Sequence, residues 1–175
     1  MYSAPVFSNF SIRCCRNVQA KRDDSLLVGN DLVWIPEVGK AISQFGQRYL
    51  DKVFSAAELN DCAGIPERRN ASLAARFAAK EAVMKILGLD KNSALPWRAI
   101  EVIRPAGKSP SIRLHPPASL FARQAGILHC SLSLSHEHEY ALATVIATRQ
   151  TRQTQGRRPR QVYRPSHFNA KKVTP

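Results

Sequence analysis

Four side chains drawn from separate stretches of the 175-residue chain make a set suited to phosphoryl transfer: Asp31, Glu81, Lys85 and His136. Magnesium takes oxygen ligands and is commonly held by one or two carboxylates plus substrate phosphates, with water completing its shell. Asp31 and Glu81 would suffice. A lysine one helical turn from a metal-binding glutamate would meet a negatively charged phosphate while keeping that glutamate ionised. A histidine at the reacting centre could contact phosphate as a cation or accept the proton of an attacking hydroxyl. Each residue alone also has a plainer reading. Asp31 could cap a turn after a strand, Glu81 and Lys85 could form an exposed i,i+4 ion pair worth about 0.3–0.5 kcal/mol, and His136 could be a loop residue. From residue types and spacing, a metal–phosphate site is one hypothesis among these.

The elements that must bring the four together are readable in outline. Residues 26–35 cluster β-branched and aromatic side chains and stop at Pro36, which predicts a strand with Asp31 near its middle, beside Gly29. Val38, Ile42, Phe45, Tyr49 and Val53 then recur at helical spacing, and Ser55 with Glu58 forms a capping-box pattern for a further short helix before Gly64 and Pro66. The strongest helix is R-N-A-S-L-A-A-R-F-A-A-K-E-A-V-M-K-I-L-G, with Leu73, Phe77, Met84 and Leu87 on one stripe and Gly88 at its stop. Steps of four from Phe77 reach Glu81 and Lys85, so both lie beside the core-facing stripe. The rest reads as β: A-I-E-V-I-R-P and S-I-R-L-H form one hairpin across the Gly107–Pro110 turn. A short helix follows near residues 119–124, then a second hairpin joined at H-E-H-E with Ser135 and His136 ending its first strand. The expected class is α+β, in one domain over residues 26–148.

The formal charge of +13 is concentrated at one end: residues 149–175 hold eight basic residues and no acid. That segment has no apolar period and reads as a disordered basic tail. It could attract nucleic acid or an acidic protein, or merely aid solubility. The folded stretch has no basic face interleaved with aromatics, which argues against a nucleic-acid-binding domain. Cys14, Cys15, Cys62 and Cys130 form neither zinc spacing nor a disulfide framework, so a reducing cytoplasmic setting is expected. No apolar run is long enough to span a bilayer. Residues 1–25 read as a flexible extension whose early arginines also permit a transit peptide.

The segments G-N-D-L-V-W-I, F-S-A-A-E-L, L-A-A-R-F-A-A-K-E-A-V-M-K-I-L-G, W-R-A-I-E-V-I-R-P-A-G-K-S-P and L-S-L-S-H-E-H-E-Y-A-L-A-T-V-I, in this order, resemble the holo-acyl-carrier-protein synthases of the 4'-phosphopantetheinyl transferase superfamily. The resemblance spans about residues 27–148. It implies that Asp31 and Glu81 hold magnesium bridging the pyrophosphate of coenzyme A, that Lys85 approaches those phosphates, and that His136 sits at the coenzyme site. Lys80 and Lys108, in the same motifs, join the residues expected to contact the coenzyme, and Glu81, Lys85 and His136 those expected in catalysis. The implied reaction is attack by a serine of an acidic acyl carrier protein on the pyrophosphate, releasing adenosine 3',5'-bisphosphate. The resemblance also implies a homotrimer with sites between subunits, so that one chain would hold part of a site.

Two positions depart from that pattern. Glu37 stands where the family usually carries a carrier-contacting arginine, so either Arg48, Arg68 or Arg69 compensates or the carrier differs, as one for polyketides or other secondary products would. After the long helix, Gly88-Leu89-Asp90 replaces the usual G-T-G, which removes a glycine and adds an acid near an anionic substrate.

Overall fold

A computed structural model describes residues 24–89 and 93–150. Its elements run β1 (Asp24–Trp34), α1 (Ile35–Val53), α2 (Ala56–Asp61), α3 (Pro66–Ile86), a single 3-10 turn (Trp97–Ala99), β2 (Ile100–Ile103), β3 (Ser111–Leu114), α4 (Ala118–Gln124), β4 (Ile127–Glu137) and β5 (Tyr140–Gln150). The architecture is α+β, as the sequence predicts. The first strand begins two residues before position 26 and the last ends two after position 148. The expectations for residues 1–23 and 151–175 lie outside the described residues.

β5 is the centre of an antiparallel sheet ordered β1-β5-β4, and β2 and β3 pair separately. β5 presents Ala141, Ala143, Val145 and Ala147, all fully buried, to α3. Helix α3 answers with Ala74, Ala75, Ala78, Ala79 and Ala82, also buried. Small side chains on both surfaces let helix and sheet approach closely, and Leu73, Val83 and Met84 fill the space around them. α1, together with Phe54 just after it, closes one end of this core through Val38, Leu50, Val53 and Phe54; the 3-10 turn, β2 and α4 close the other.

The predicted capping box is formed: the Ser55 hydroxyl accepts from Glu58 N, and Glu58 Oε2 accepts from Ser55 N. One expectation fails. Phe45, placed by its spacing on the core stripe of α1, is exposed. Gly46, the next residue, interrupts the helix with φ of 56° and ψ of −138°, so Phe45 ends a segment whose Val38 and Ile42 still face the core.

The sheet is covered on one face only. Even-numbered residues of β1 and β5 point away from α3, and Leu26, Val28, Leu32, Leu142 and Ile146 are exposed there. Leu32 lies opposite Leu142 and Val28 opposite Ile146, so these side chains form a continuous apolar surface.

Candidate active site

The approach of β1 to α3 is set by a glycine. A Cβ on Gly29 would lie 2.2 Å from the Ala82 carbonyl oxygen and 2.9 Å from Ile86 Cγ1, so no other residue fits without moving the helix. Asp31 follows on the same face of the strand, two residues on. Glu81 immediately precedes Ala82. Both therefore line a single open cavity of about 490 Å³, with Trp34, Glu37, Tyr49 and Phe77 among its other walls. Lys85, one turn beyond Glu81, places Nζ 2.9 Å from Asp31 Oδ1 and donates to Asn30 O at 2.7 Å. Its side chain is 51% exposed, whereas that of Asp31 is 18% exposed. The cation at the cavity rim is thus accessible to a ligand while holding the aspartate in place.

Glu37 belongs to this cavity, in the first turn of α1, and is not confined to a distant docking surface. Burial, with a smaller contribution from the charge of Glu37, raises the pKa of the Tyr49 phenol, which stays neutral on the same wall. The oxygen donors of Asp31 and Glu81 suit a hard divalent cation. Among the described residues no group of three or more His, Cys, Asp or Glu is arranged to hold a metal ion, so substrate oxygens and water would have to supply the remaining ligands.

His136 lies elsewhere. Asp31 pairs across to Ala143 of β5 and Ala143 to Leu134 of β4, so His136 stands two strand spacings away, about 9–10 Å, and two residues further along. It lines two adjoining cavities of about 220 and 470 Å³ on the opposite flank of α3, which share Ser72, Arg104 and His136. Arg76 borders the first and Arg68 the second. Within one subunit the structure therefore brings Asp31, Glu81 and Lys85 together and leaves His136 apart from them.

Arg76 is the residue that sequence reasoning missed. It is 4% exposed, its Nε has no hydrogen-bond partner, and its remaining contacts are long: 3.4 Å to Ser72 O and 3.7 Å to Asp61 Oδ2. A buried guanidinium so poorly paired is costly, and an anion in the adjoining cavity would complete its bonding. The available signal was an arginine amid the alanines of α3. Cys62, also on the wall, is no nucleophile: burial chiefly pushes its thiol up to about 11.

Two predicted coenzyme contacts fare differently. Lys108 is exposed on the β2–β3 turn, whose Arg104 and Pro110 border the first of these cavities. Lys80 is fully buried and ion-paired with Glu58 at 2.9 Å, so it does not reach a ligand directly. Helix phase explains the correction. Lys80 is adjacent to Glu81 in sequence but points about 100° away around the helix, toward β2. Asp90 lies outside the described residues.

An acidic cavity and a cationic one flank a helix that packs on an antiparallel sheet. Residues 27–145 match the sequence profile of the 4'-phosphopantetheinyl transferase superfamily. The holo-[acyl-carrier-protein] synthase of Dehalococcoides mccartyi strain CBDB1 is 42% identical over 122 residues, covering 70% of this chain and 98% of that protein. The crystal structure of the Neisseria meningitidis holo-[acyl-carrier-protein] synthase superposes with a TM-score of 0.60 at 32% identity, over 69% of this chain and 95% of that one. The Helicobacter pylori synthase in complex with coenzyme A gives 0.59 at 27% identity, over 69% and 99%. The chain belongs to the 4'-phosphopantetheinyl transferase superfamily.

Proposed function

We propose that this enzyme transfers the 4'-phosphopantetheine group of coenzyme A to a serine of an apo acyl carrier protein and releases adenosine 3',5'-bisphosphate. The serine oxygen forms a bond to the β-phosphorus and gives up its proton, which passes to solvent; the bond from that phosphorus to the bridging oxygen breaks, and the leaving bisphosphate carries away the electron pair. Asp31 and Glu81 would hold magnesium, which when bound supplies charge neutralisation on the pyrophosphate. Lys85, accessible at the rim and braced by Asp31, contacts the same phosphates. His136, with Arg76 and Arg104, takes the phosphate-rich nucleotide end, and Lys108 adds charge at its edge. The observation that carries the reading is the shared cavity of Asp31 and Glu81, with Lys85 paired to the first.

Two features support a homotrimer in which neighbouring subunits complete each site. The acidic and cationic cavities are separate within one chain, and the uncovered sheet face is apolar along two strands. No helix among the described residues is long and apolar enough to cross a membrane. Glu37 on the wall of the acidic cavity favours a carrier without an acidic residue at that point, such as a specialised carrier domain.

The test is incubation with magnesium, coenzyme A and a panel of apo carrier proteins, including fatty-acid and polyketide types, followed by intact mass. A phosphopantetheine mass gain on at least one carrier is expected. No gain on any of them would remove the proposal.

A further inference from the structure

One buried ion pair joins the walls of the cationic cavity to the helix that carries Glu81. Lys80 and Glu58 are each 0% exposed. Lys80 Nζ donates to Glu58 Oε2 at 2.9 Å, to Trp97 O at 3.3 Å and to Ile100 O, which engages all three of its hydrogens. Glu58 Oε1 accepts from Val102 N at 3.0 Å, while Oε2 also accepts from Ser55 N.

These partners fall on one side of β2. Ala99 O accepts from His115 N, on the β3 side, so by alternation Ile100 and Val102 turn their main chain to the opposite, unpaired edge. There the ion pair stands in for a neighbouring strand, with Lys80 the donor for Ile100 O and Glu58 the acceptor for Val102 N.

The pair's location gives it another use. Arg104 lies two residues beyond Val102, Asp61 to Ala63 follow Glu58 at the end of α2, and Arg76 is one turn before Lys80 on α3. Helices α2 and α3, which line the cationic cavities, and β2, which leads into the turn carrying Arg104, therefore meet at this pair, while β4 supplies His136. We propose that Lys80 and Glu58 are positioning residues for the coenzyme: by bracing the edge of β2 and the start of α2 against α3, they hold Arg104 and the Asp61–Ala63 wall at the spacing its phosphates require. The inference rests on the transfer reading above and adds residues that touch neither substrate nor metal.

The test uses full-length protein and two paired variants. Lys80→Met with Glu58→Leu removes the brace without stranding a buried charge. Lys80→Met with Glu58→Gln keeps an amide oxygen able to accept from Val102 N. Thermal melting, coenzyme A affinity by calorimetry, and kcat and KM for coenzyme A are compared with wild type. The apolar pair folds with coenzyme KM and Kd raised about tenfold or more, kcat within about threefold and the magnesium requirement unchanged, and the amide variant recovers most of the loss. A folded apolar pair with wild-type coenzyme affinity overturns the inference. So does failure of both variants to fold, which would make the pair a stability element alone. A wild-type protein that transfers nothing to any carrier overturns the underlying function instead.

Discussion

Replacing Gly29 by alanine perturbs the candidate site without touching any of its polar atoms. The added Cβ would stand 2.2 Å from the Ala82 carbonyl oxygen, and ordinary contact begins at 3.4 Å, so β1 and α3 must separate by about 1.2 Å. The obstacle is main chain one turn from the C-terminal end of α3, which cannot rotate aside as a side chain would. Overpacking of this kind costs about 1–3 kcal/mol, so the thermal midpoint falls by several degrees while the protein remains folded. The strain acts between Asp31 and Glu81, which flank the contact on its two elements. A misplacement near 1 Å can cost about a hundredfold in rate. The expected result is kcat/KM for phosphopantetheine transfer lowered by about a hundredfold, far more than partial unfolding explains at a temperature well below the midpoint. The assay pairs a melt with transfer rates measured on the same preparation. If Gly29→Ala transfers at a rate within about twofold of wild type, the close approach does not position the carboxylates and the reasoning is wrong.

Three further predictions address other parts of the molecule. Arg76→Met removes a buried guanidinium from the cationic cavity and raises KM for coenzyme A by about tenfold or more, read from initial rates, because charge-assisted bonds contribute about 1.5–3 kcal/mol. Glu101 has its pKa lowered below 4.5, first by the Ser55 hydroxyl at 2.6 Å and then by His115 at 2.9 Å. A depressed carboxylate stabilises the fold above its unfolded pKa and loses that contribution as pH falls through the folded one. Ser55→Ala therefore makes the protein less stable between pH 7 and 5, with the deficit narrowing as the pH drops below about 4.5, in denaturant melts. Under the proposed homotrimer, Leu142→Lys on the uncovered sheet face leaves the cavity walls intact and shifts sedimentation velocity from trimer to monomer together with lost transfer.

Much of this architecture could be read in the chain before its coordinates were considered. The strand carrying Asp31, the capping box at Ser55, the long helix and both hairpins follow from local rules of alternation, capping and helical phase. Glu81 and Lys85 were legible because one helix carries both. What stayed hidden depends on neighbours. Phe45 obeys the helical spacing of Val38 and Ile42, yet it stands at the end of their segment, beside the break at Gly46, and is exposed. Lys80 adjoins a motif glutamate, yet its helix phase turns it inward, where Glu58 and the free edge of β2 receive it. Arg76 looks like any arginine in an alanine-rich segment until its buried, unpartnered Nε is seen beside His136. The separation of His136 from Asp31 is a property of sheet order, which no local pattern encodes.

The central claim is that Asp31 and Glu81 act together through a divalent cation during transfer. Its most direct measurement is intact mass of a competent apo carrier protein after incubation with coenzyme A and wild type, Asp31→Ala or Glu81→Gln, each with magnesium and with chelator. The account predicts a phosphopantetheine mass gain with wild type in magnesium, none in chelator, and none at matched times with either variant despite unchanged folding. Transfer by Glu81→Gln at the wild-type rate, or by wild type in chelator, would contradict it.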